Sequence, residues 1–268
     1  MKNRVVPGIL MVLGWLLVAF GPVFLLKVLV LVALPVALSE YFAMTMPELK
    51  GGRRTVAIAI PLLPVLAAFP GAPAAVAYGA LLALFALLLT AMRLFGKYGE
   101  PADTLRLLGA GAFAILYLGL CGACLLLLGQ AEHKSLWLML LVAITAGSDT
   151  GAYYAGRRFG TTKIFPVLSP KKTWAGLWGG LACGVLCAAI VHGLMGGPWS
   201  FLGGLVSAAL LVLVGVAGDL AESMLKRACG VKDSGAILAG HGGVLDRIDS
   251  MLLVAPALYL LLARQGFL

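Results

Sequence analysis

Charged side chains are too scarce in this sequence for a water-soluble fold. They make up 12% of its 268 residues, against 62% hydrophobic, where a soluble domain carries about 25% charged residues. No A-x-A cleavage site follows Met1-Lys2-Asn3-Arg4 and its apolar run, and a second apolar run begins almost at once. The expectation is therefore an uncleaved first helix and not a removable leader. No His or carboxylate partners Cys121, Cys124, Cys183 or Cys187 within their apolar runs. This weighs against a metal or disulfide reading of the C-x-x-C at 121–124, and these cysteines are expected to pack as small hydrophobes.

What the sequence has in abundance is apolar runs of the length that crosses a hydrocarbon core of about 30 Å. Nine candidate spans fall at 5–20, 22–44, 55–69, 73–92, 107–129, 136–155, 174–195, 201–220 and 251–263. The first and third are short, and Pro7, Pro35, Pro61 and Pro64 are expected to kink or break helices. The fold class expected is all-α, a polytopic helical membrane protein of about nine spans. Basic residues give an independent check, because short cytoplasmic loops are enriched in them. With a cytoplasmic N-terminus, all of the 20 Lys and Arg residues except Lys27, Lys134 and Arg264 fall on the cytoplasmic side. The expectation is N-in and C-out. The net charge of +9 is then concentrated on one membrane face, where anionic head groups and nucleotides are both attracted.

Six of the 11 acids lie from Asp149 onward, each at or just beyond the cytoplasmic end of an expected span. Ionisable groups at such depth are costly and mark a functional site by default. Asp219-Leu-Ala-Glu222-Ser223 and Asp246-Arg-Ile-Asp249-Ser250 share the pattern D-x-x-acid-S. On a helix, positions three and four apart share a face, so each copy presents two carboxylates and a hydroxyl together. That is a hard-oxygen site suited to Mg²⁺, which takes one or two protein carboxylates when a nucleotide supplies the other oxygens. Glu222 and Asp249 have a second reading, as ion-pair partners of Lys226, Arg227 and Arg247.

Between the two copies, Lys232-Asp233-Ser-Gly-Ala-Ile-Leu-Ala-Gly240-His241-Gly242-Gly243 is too glycine-rich to continue as a stable helix. Successive backbone N–H groups of such a segment can turn toward an anion, which makes it a candidate phosphate cradle. A second polar stretch runs from Ser148-Asp149-Thr150 through Tyr153, Arg157 and Arg158 to Ser169-Pro170-Lys171-Lys172-Thr173. Its cations, hydroxyls and tyrosines suit a triphosphate or a lipid phosphate. Gly176, Gly180 and Gly184, spaced by four, form a flat stripe for close helix contact.

The pattern of polar residues from Ser223 through Lys226-Arg227, Lys232-Asp233, Gly235 and His241-Gly242-Gly243 to Asp246-Arg247 and Asp249 resembles the signature of phosphatidate cytidylyltransferases, also called CDP-diacylglycerol synthases. The upstream S-D-T-x-A-Y-x-x-G-R-x-F-G and S-P-K-K-T stretches, from Ser148 to Thr173, are similar to that family as well. Two positions depart from it: Ala239 stands where the family pattern has Pro or Gly, and Ala175 where its K-T-W-E-G motif usually has Glu.

The resemblance implies an all-helical membrane enzyme that joins CTP to phosphatidic acid, releasing pyrophosphate, with Mg²⁺ as cofactor, a second cation left open, and a homodimeric assembly. The partners implied are CTP, phosphatidic acid and the bilayer, with no nucleic acid, and the location is the inner (cytoplasmic) membrane with the site facing the cytoplasm. Residues 1–135 are then packing helices and 136–268 the catalytic portion. Asp219 and Asp246, with Glu222 and Asp249, are the expected metal carboxylates. Lys226, Arg227, Lys232 and Arg247 are expected to neutralise phosphates. Asp149, Tyr153, Arg157, Ser169, Lys171, Lys172, Thr173, Ser223, Asp233, His241, Gly242 and Gly243 are expected to bind substrate. A CDP-alcohol phosphotransferase is a rival, but no D-G-x-x-A-R occurs here. A polytopic cation transporter would need its acids near the midplane, whereas these cluster at one face beside a cationic loop.

Overall fold

Backbone in a hydrocarbon layer has no water to bond, so apolar runs satisfy their N–H and C=O groups within helices. The computed structural model of the chain describes residues 2–98, 101–166, 168–235 and 242–268, with the side chains of 2–9 and 95–98 left aside. Every expected span corresponds to a helix or to a broken helix. α1 (Lys2–Phe20) ends at Gly21 and Pro22, and α2 (Val23–Thr45) follows. Pro61 and Pro64 lack the N–H that a continuing helix needs. The third run accordingly divides into α3 (Gly52–Ala59), a 3-10 turn (Ile60–Leu62) and α4 (Leu63–Ala67).

α5 (Pro73–Tyr98) is continuous, whereas α6 (Pro101–Ala114) passes through a π-helical stretch (Ile115–Leu120) into α7 (Cys121–Leu128). Gly119, in the π-helical stretch, lies so close to the Pro61 carbonyl that a Cβ there would clash. The later helices are α8 (Lys134–Phe159), α9 (Trp174–Met195), α10 (Phe201–Ala228) and α11 (Leu245–Arg264).

Between α8 and α9 the chain forms an antiparallel hairpin, β1 (Lys163–Phe165) with β2 (Ser169–Thr173), pairing Lys163 with Thr173 and Phe165 with Ser169. This hairpin corrects the expectation of an all-α fold to a nearly all-α one. Pro166 and Pro170 disfavour helix there, and a short extended pair satisfies the backbone instead.

Six stretches among the described residues are long and apolar enough to cross a membrane: Val23–Thr45, Pro73–Leu94, Pro101–Leu128, Lys134–Phe159, Trp174–Met195 and Phe201–Ala228. The apolar part of α1, Leu10–Phe20, is shorter, α3 and α4 are fragments, and α11 carries Asp246, Arg247 and Asp249 in its first turns. Large apolar side chains such as Leu81, Phe85 and Leu89 of α5, and Trp178 and Leu186 of α9, are exposed. An outward apolar surface on helices of this length is matched by lipid and not by water.

The chain packs as two compact units, each discontinuous in sequence. The first comprises 1–11, 22–130 and 233–247. Its interior includes Tyr41 and Phe113, stacked at 6.1 Å, and Phe113 with Tyr117 at 5.1 Å. The Tyr41 hydroxyl donates to the Ala110 carbonyl at 2.9 Å, which gives the buried polar tip a partner. The second comprises 12–21, 131–232 and 248–268. Its centre is a glycine seam where α8 and α9 approach closely. A Cβ on Gly180 would come within 3.0 Å of the Ser148 carbonyl, and one on Gly176 within 3.1 Å of the Ala152 carbonyl. The stripe at 176, 180 and 184 is thus a packing device, and it fixes the face of α8 that carries Ser148 and Asp149.

Candidate active site

In the second unit, α8, the hairpin, α9 and α10 enclose a cavity of about 540 Å³, with Ser250 of α11 at its edge. Asp149, Tyr153 and Arg157 stand four residues apart on α8 and line it together. Arg157 Nη1 donates to the Tyr153 hydroxyl at 3.2 Å. The hairpin contributes Lys163, Ser169, Lys171, Lys172 and Thr173, and α10 contributes Asp219. Ile144, Leu177, Val212 and Val216 make the apolar part of the wall. Four cations and two carboxylates therefore line one partly open cavity, a balance that favours a polyanionic ligand.

The hairpin aims its lysines because its ends are fastened. Thr173 is buried, and its hydroxyl accepts the Gly176 N–H at 3.1 Å as the N-cap of α9. Gly156 and Gly160 of the α8 end lie against the same side chain. Expected as a substrate contact, Thr173 therefore also holds the hairpin to both helices. Lys172 reaches Asp219 at 2.7 Å, and Ser223 Oγ donates to Asp219 Oδ1 at 3.4 Å. Of the first D-x-x-acid-S copy, the acid and the hydroxyl four residues apart thus meet.

Glu222, on the same helix, is 1% exposed and pairs with Lys226 at 2.7 Å. Its second reading, as an ion-pair partner, is the one the contacts favour. Gly218 allows α11 to approach: a Cβ there would lie 2.9 Å from the Asp249 carbonyl. Asp249 accepts the Ser250 N–H at 2.6 Å. Burial pushes the Asp249 carboxyl above its usual range, and the nearby Asp219 charge adds to the rise. The Ser250 N–H, Glu222 and Lys226 act in the opposite direction.

Other expected residues of this unit are exposed: Arg227, which donates to the Val231 carbonyl at 3.3 Å, and Lys232. His241 and Ala239 lie outside the described residues.

The first unit holds Asp233, Gly242, Gly243, Asp246 and Arg247, of which Asp233 and Arg247 are exposed. Asp246 Oδ2 accepts the Ser234 N–H at 3.0 Å and the Gly243 N–H at 2.8 Å. The Gly243 N–H, expected to face a phosphate, is turned to the chain's own carboxylate. Gly242 has φ +80°, a conformation glycine adopts freely, and a Cβ there would be 2.7 Å from Asp246 Oδ2.

The sequence reading missed Glu40 of α2, which is buried and accepts the Val244 N–H at 3.0 Å and the Leu245 N–H at 2.9 Å. The available signal was a carboxylate inside an apolar run. The metal carboxylates divide, with Asp219, Glu222 and Asp249 in the second unit and Asp246 in the first. Among the described residues no three His, Cys, Asp or Glu side chains converge as a ready-made metal cage.

Helices long and apolar enough to cross a bilayer, one bundle of them closing on a cationic cavity, define an integral membrane protein with a polar ligand site. The sequence model of the cytidylyltransferase family matches residues 2–264, and the chain belongs to that family. It is 40% identical over 153 residues to a phosphatidate cytidylyltransferase of Brucella suis, covering 57% of this chain and 56% of that protein. It is 36% identical over 183 residues to the phosphatidate cytidylyltransferase of Bacillus subtilis, covering 68% and 67%. Over 144 residues it is 41% identical to that of Pseudomonas aeruginosa, covering 53% of each. The chain thus matches little more than half the length of the Brucella and Pseudomonas proteins.

Proposed function

We propose that the chain is a phosphatidate cytidylyltransferase: a phosphate oxygen of phosphatidic acid attacks the α-phosphorus of CTP, the bond to the pyrophosphate oxygen breaks, and CDP-diacylglycerol remains in the bilayer. The observation that carries the reading is the cavity that sets Arg157, Lys163, Lys171 and Lys172 against Asp149 and Asp219. The relatives' names supply the substrate class. Phosphoryl chemistry of this kind needs little covalent help from protein, so catalysis rests on placing the two phosphates in line and neutralising charge as it moves to the leaving group.

Lysines and arginines of the hairpin and α8 are assigned to the triphosphate. Lys226, Arg227, Lys232 and Arg247 are assigned to the developing charge, and Ser223, Asp233 and His241 to orientation. Ser169 and Tyr153 offer hydroxyls within the cavity.

The donor set fits Mg²⁺ in its nucleotide-bound mode, where one or two carboxylates suffice and phosphate and water complete the shell. Asp219, with its near neighbour Asp249, is the pair assigned to it. The two carboxylates repel one another, and a cation relieves such repulsion. When bound, the metal supplies charge neutralisation at phosphate oxygens. Asp246 remains assigned as a further carboxylate and Glu222 as its weakest member; a second cation stays open. The proposal includes a homodimer in the inner membrane, nine crossings with N-in and C-out, and a site on the cytoplasmic face.

Purified protein given labelled CTP, phosphatidic acid and Mg²⁺ is expected to yield a cytidine label extractable into organic solvent, with one pyrophosphate released per label. Pyrophosphate release without lipid label, or no turnover with phosphatidic acid over a range of chain lengths, would overturn the reading.

A further inference from the structure

We infer that Glu40 is a positioning residue for the reaction, holding the segment that presents Asp246 and Arg247; the inference rests on the proposed function. α2 is an apolar, membrane-length helix, and a carboxylate within it is retained only where partners compensate its burial. Glu40 is 5% exposed, and its partners come from one place about 200 residues further along the chain. Its Oε1 accepts the Val244 N–H at 3.0 Å, and its Oε2 accepts the Leu245 N–H at 2.9 Å and the Ser234 hydroxyl at 3.3 Å.

Two of these donors stand at the start of α11, the Leu245 N–H in its first residue and the Val244 N–H just before it, where backbone N–H groups lack an i−4 carbonyl and the helix dipole favours an anion. The approach depends on glycine. A Cβ on Gly235 would stand 2.5 Å from Glu40 Oε1, and one on Gly243 2.6 Å from Oε2.

Asp246 grips the same segment. Ser234 gives its hydroxyl to Glu40 and its N–H to Asp246. Gly243 gives its N–H to Asp246, and the space a side chain would need there is taken by Glu40. The two carboxylates thus take different donors from the same two short stretches, Ser234 and Gly243–Leu245, so the backbone that orients the Asp246 carboxylate is also held by Glu40. Arg247, one residue on, starts from the same fixed turn. Glu40 acts through these residues and needs no contact with substrate.

The test compares wild type with Glu40→Gln, Ser234→Ala and the control Glu132→Gln, purified in detergent. Glutamine keeps the volume but turns an NH₂ toward N–H donors, so one bond is replaced by repulsion. We expect kcat for lipid cytidylylation to fall on the order of 10- to 100-fold, as for second-layer partners of catalytic ligands, with the KM for phosphatidic acid changing less than about twofold. Ser234→Ala should show a smaller loss in the same parameter, and Glu132→Gln none.

Amide hydrogen exchange of the peptide holding Val244 and Leu245 provides a readout independent of turnover: protection should fall in Glu40→Gln and stay in Glu132→Gln. Wild type without product would count against the proposed function alone, because the exchange result would still stand or fail by itself. Should Glu40→Gln not fold, Ser234→Ala carries the test. Unchanged exchange, or a kcat within twofold of wild type in the folded variant, would reduce Glu40 to a buried helix cap.

Discussion

Two ion pairs on one turn of α10 have opposite characters, and burial decides which. Lys172 and Asp219 are 22% and 34% exposed as side chains, so water screens their pairing more than it screens a fully buried pair. Lys226 and Glu222 are 14% and 0% exposed, and removing one member of a buried pair costs about 3–5 kcal/mol by stranding the other. Asp219→Asn is therefore expected to keep its elution volume and thermal midpoint while turnover falls on the order of 100- to 1000-fold, the range for losing one preorganised electrostatic group. Glu222→Gln should do the reverse, retaining more turnover while its thermal midpoint in detergent drops. The pair of variants is read by melting curves and by rates across a Mg²⁺ titration. A near-normal rate in Asp219→Asn at every Mg²⁺ concentration would remove the metal assignment, and an unchanged midpoint in Glu222→Gln would show that Lys226 finds another partner.

At the scale of elements, the site depends on how closely α9 lies on α8. Gly180 has no room for a side chain, since its Cβ would already be 3.0 Å from both the Ser148 carbonyl and hydroxyl oxygens. Gly193, on the same helix, has nothing within 4 Å. Gly180→Val should lower thermal stability and turnover together by pushing α9 off the wall that carries Asp149, whereas Gly193→Ala should leave turnover intact and stabilise slightly, by up to about 1 kcal/mol. Turnover surviving in a destabilised Gly180→Val would mean that the seam supports the bundle without shaping the cavity.

Much of this was legible in the sequence. Every apolar run became helical, because burial or lipid leaves the backbone no other partner, whereas the expected span ended at 155 and α8 in fact continues to Phe159, which puts Arg157 on the helix with Asp149 and Tyr153. The second D-x-x-acid-S copy lies on α11 as its spacing required, but its contacts were not legible. Asp246 turns back to Ser234 and Gly243, while Asp249 bonds the Ser250 N–H. Ser234 and Gly243 both give their N–H groups to Asp246, and no local period announces that. Glu40 was illegible for a related reason: its partners lie about 200 positions away, and only a single acid in an apolar run hinted at it. The hairpin was read as loop because Lys163, Lys171 and Lys172 carry no apolar alternation.

For the whole molecule, the open quantity is the number of crossings, and the basic residues constrain it. Lys50, Arg53 and Arg54 precede or open α3, and Lys226, Arg227 and Lys232 close or follow α10. Both groups should face the cytoplasm, which requires an even number of crossings between them. The six helices that satisfy length and apolarity place five crossings in that interval: α5, α6 with α7, α8, α9 and α10. Counting the proline-broken α3 and α4 as one further crossing makes six and restores the rule, and α11 then carries the C-terminus to the other face. Reporters near Gly52, near Gly230 and after Leu268 separate the two counts. Nine crossings put Gly52 and Gly230 together in the cytoplasm with Leu268 opposite. If only the six helices cross, Gly52 and Gly230 lie on opposite faces and Leu268 shares the side of Gly230. A cytoplasmic signal at Gly52 and Gly230, with none after Leu268, is the outcome expected. Such a result would make the short segment from Gly52 to Ala67 a true crossing, accommodated by local thinning of the bilayer, while opposite signals at Gly52 and Gly230 would turn it into a segment that enters and leaves by the same face.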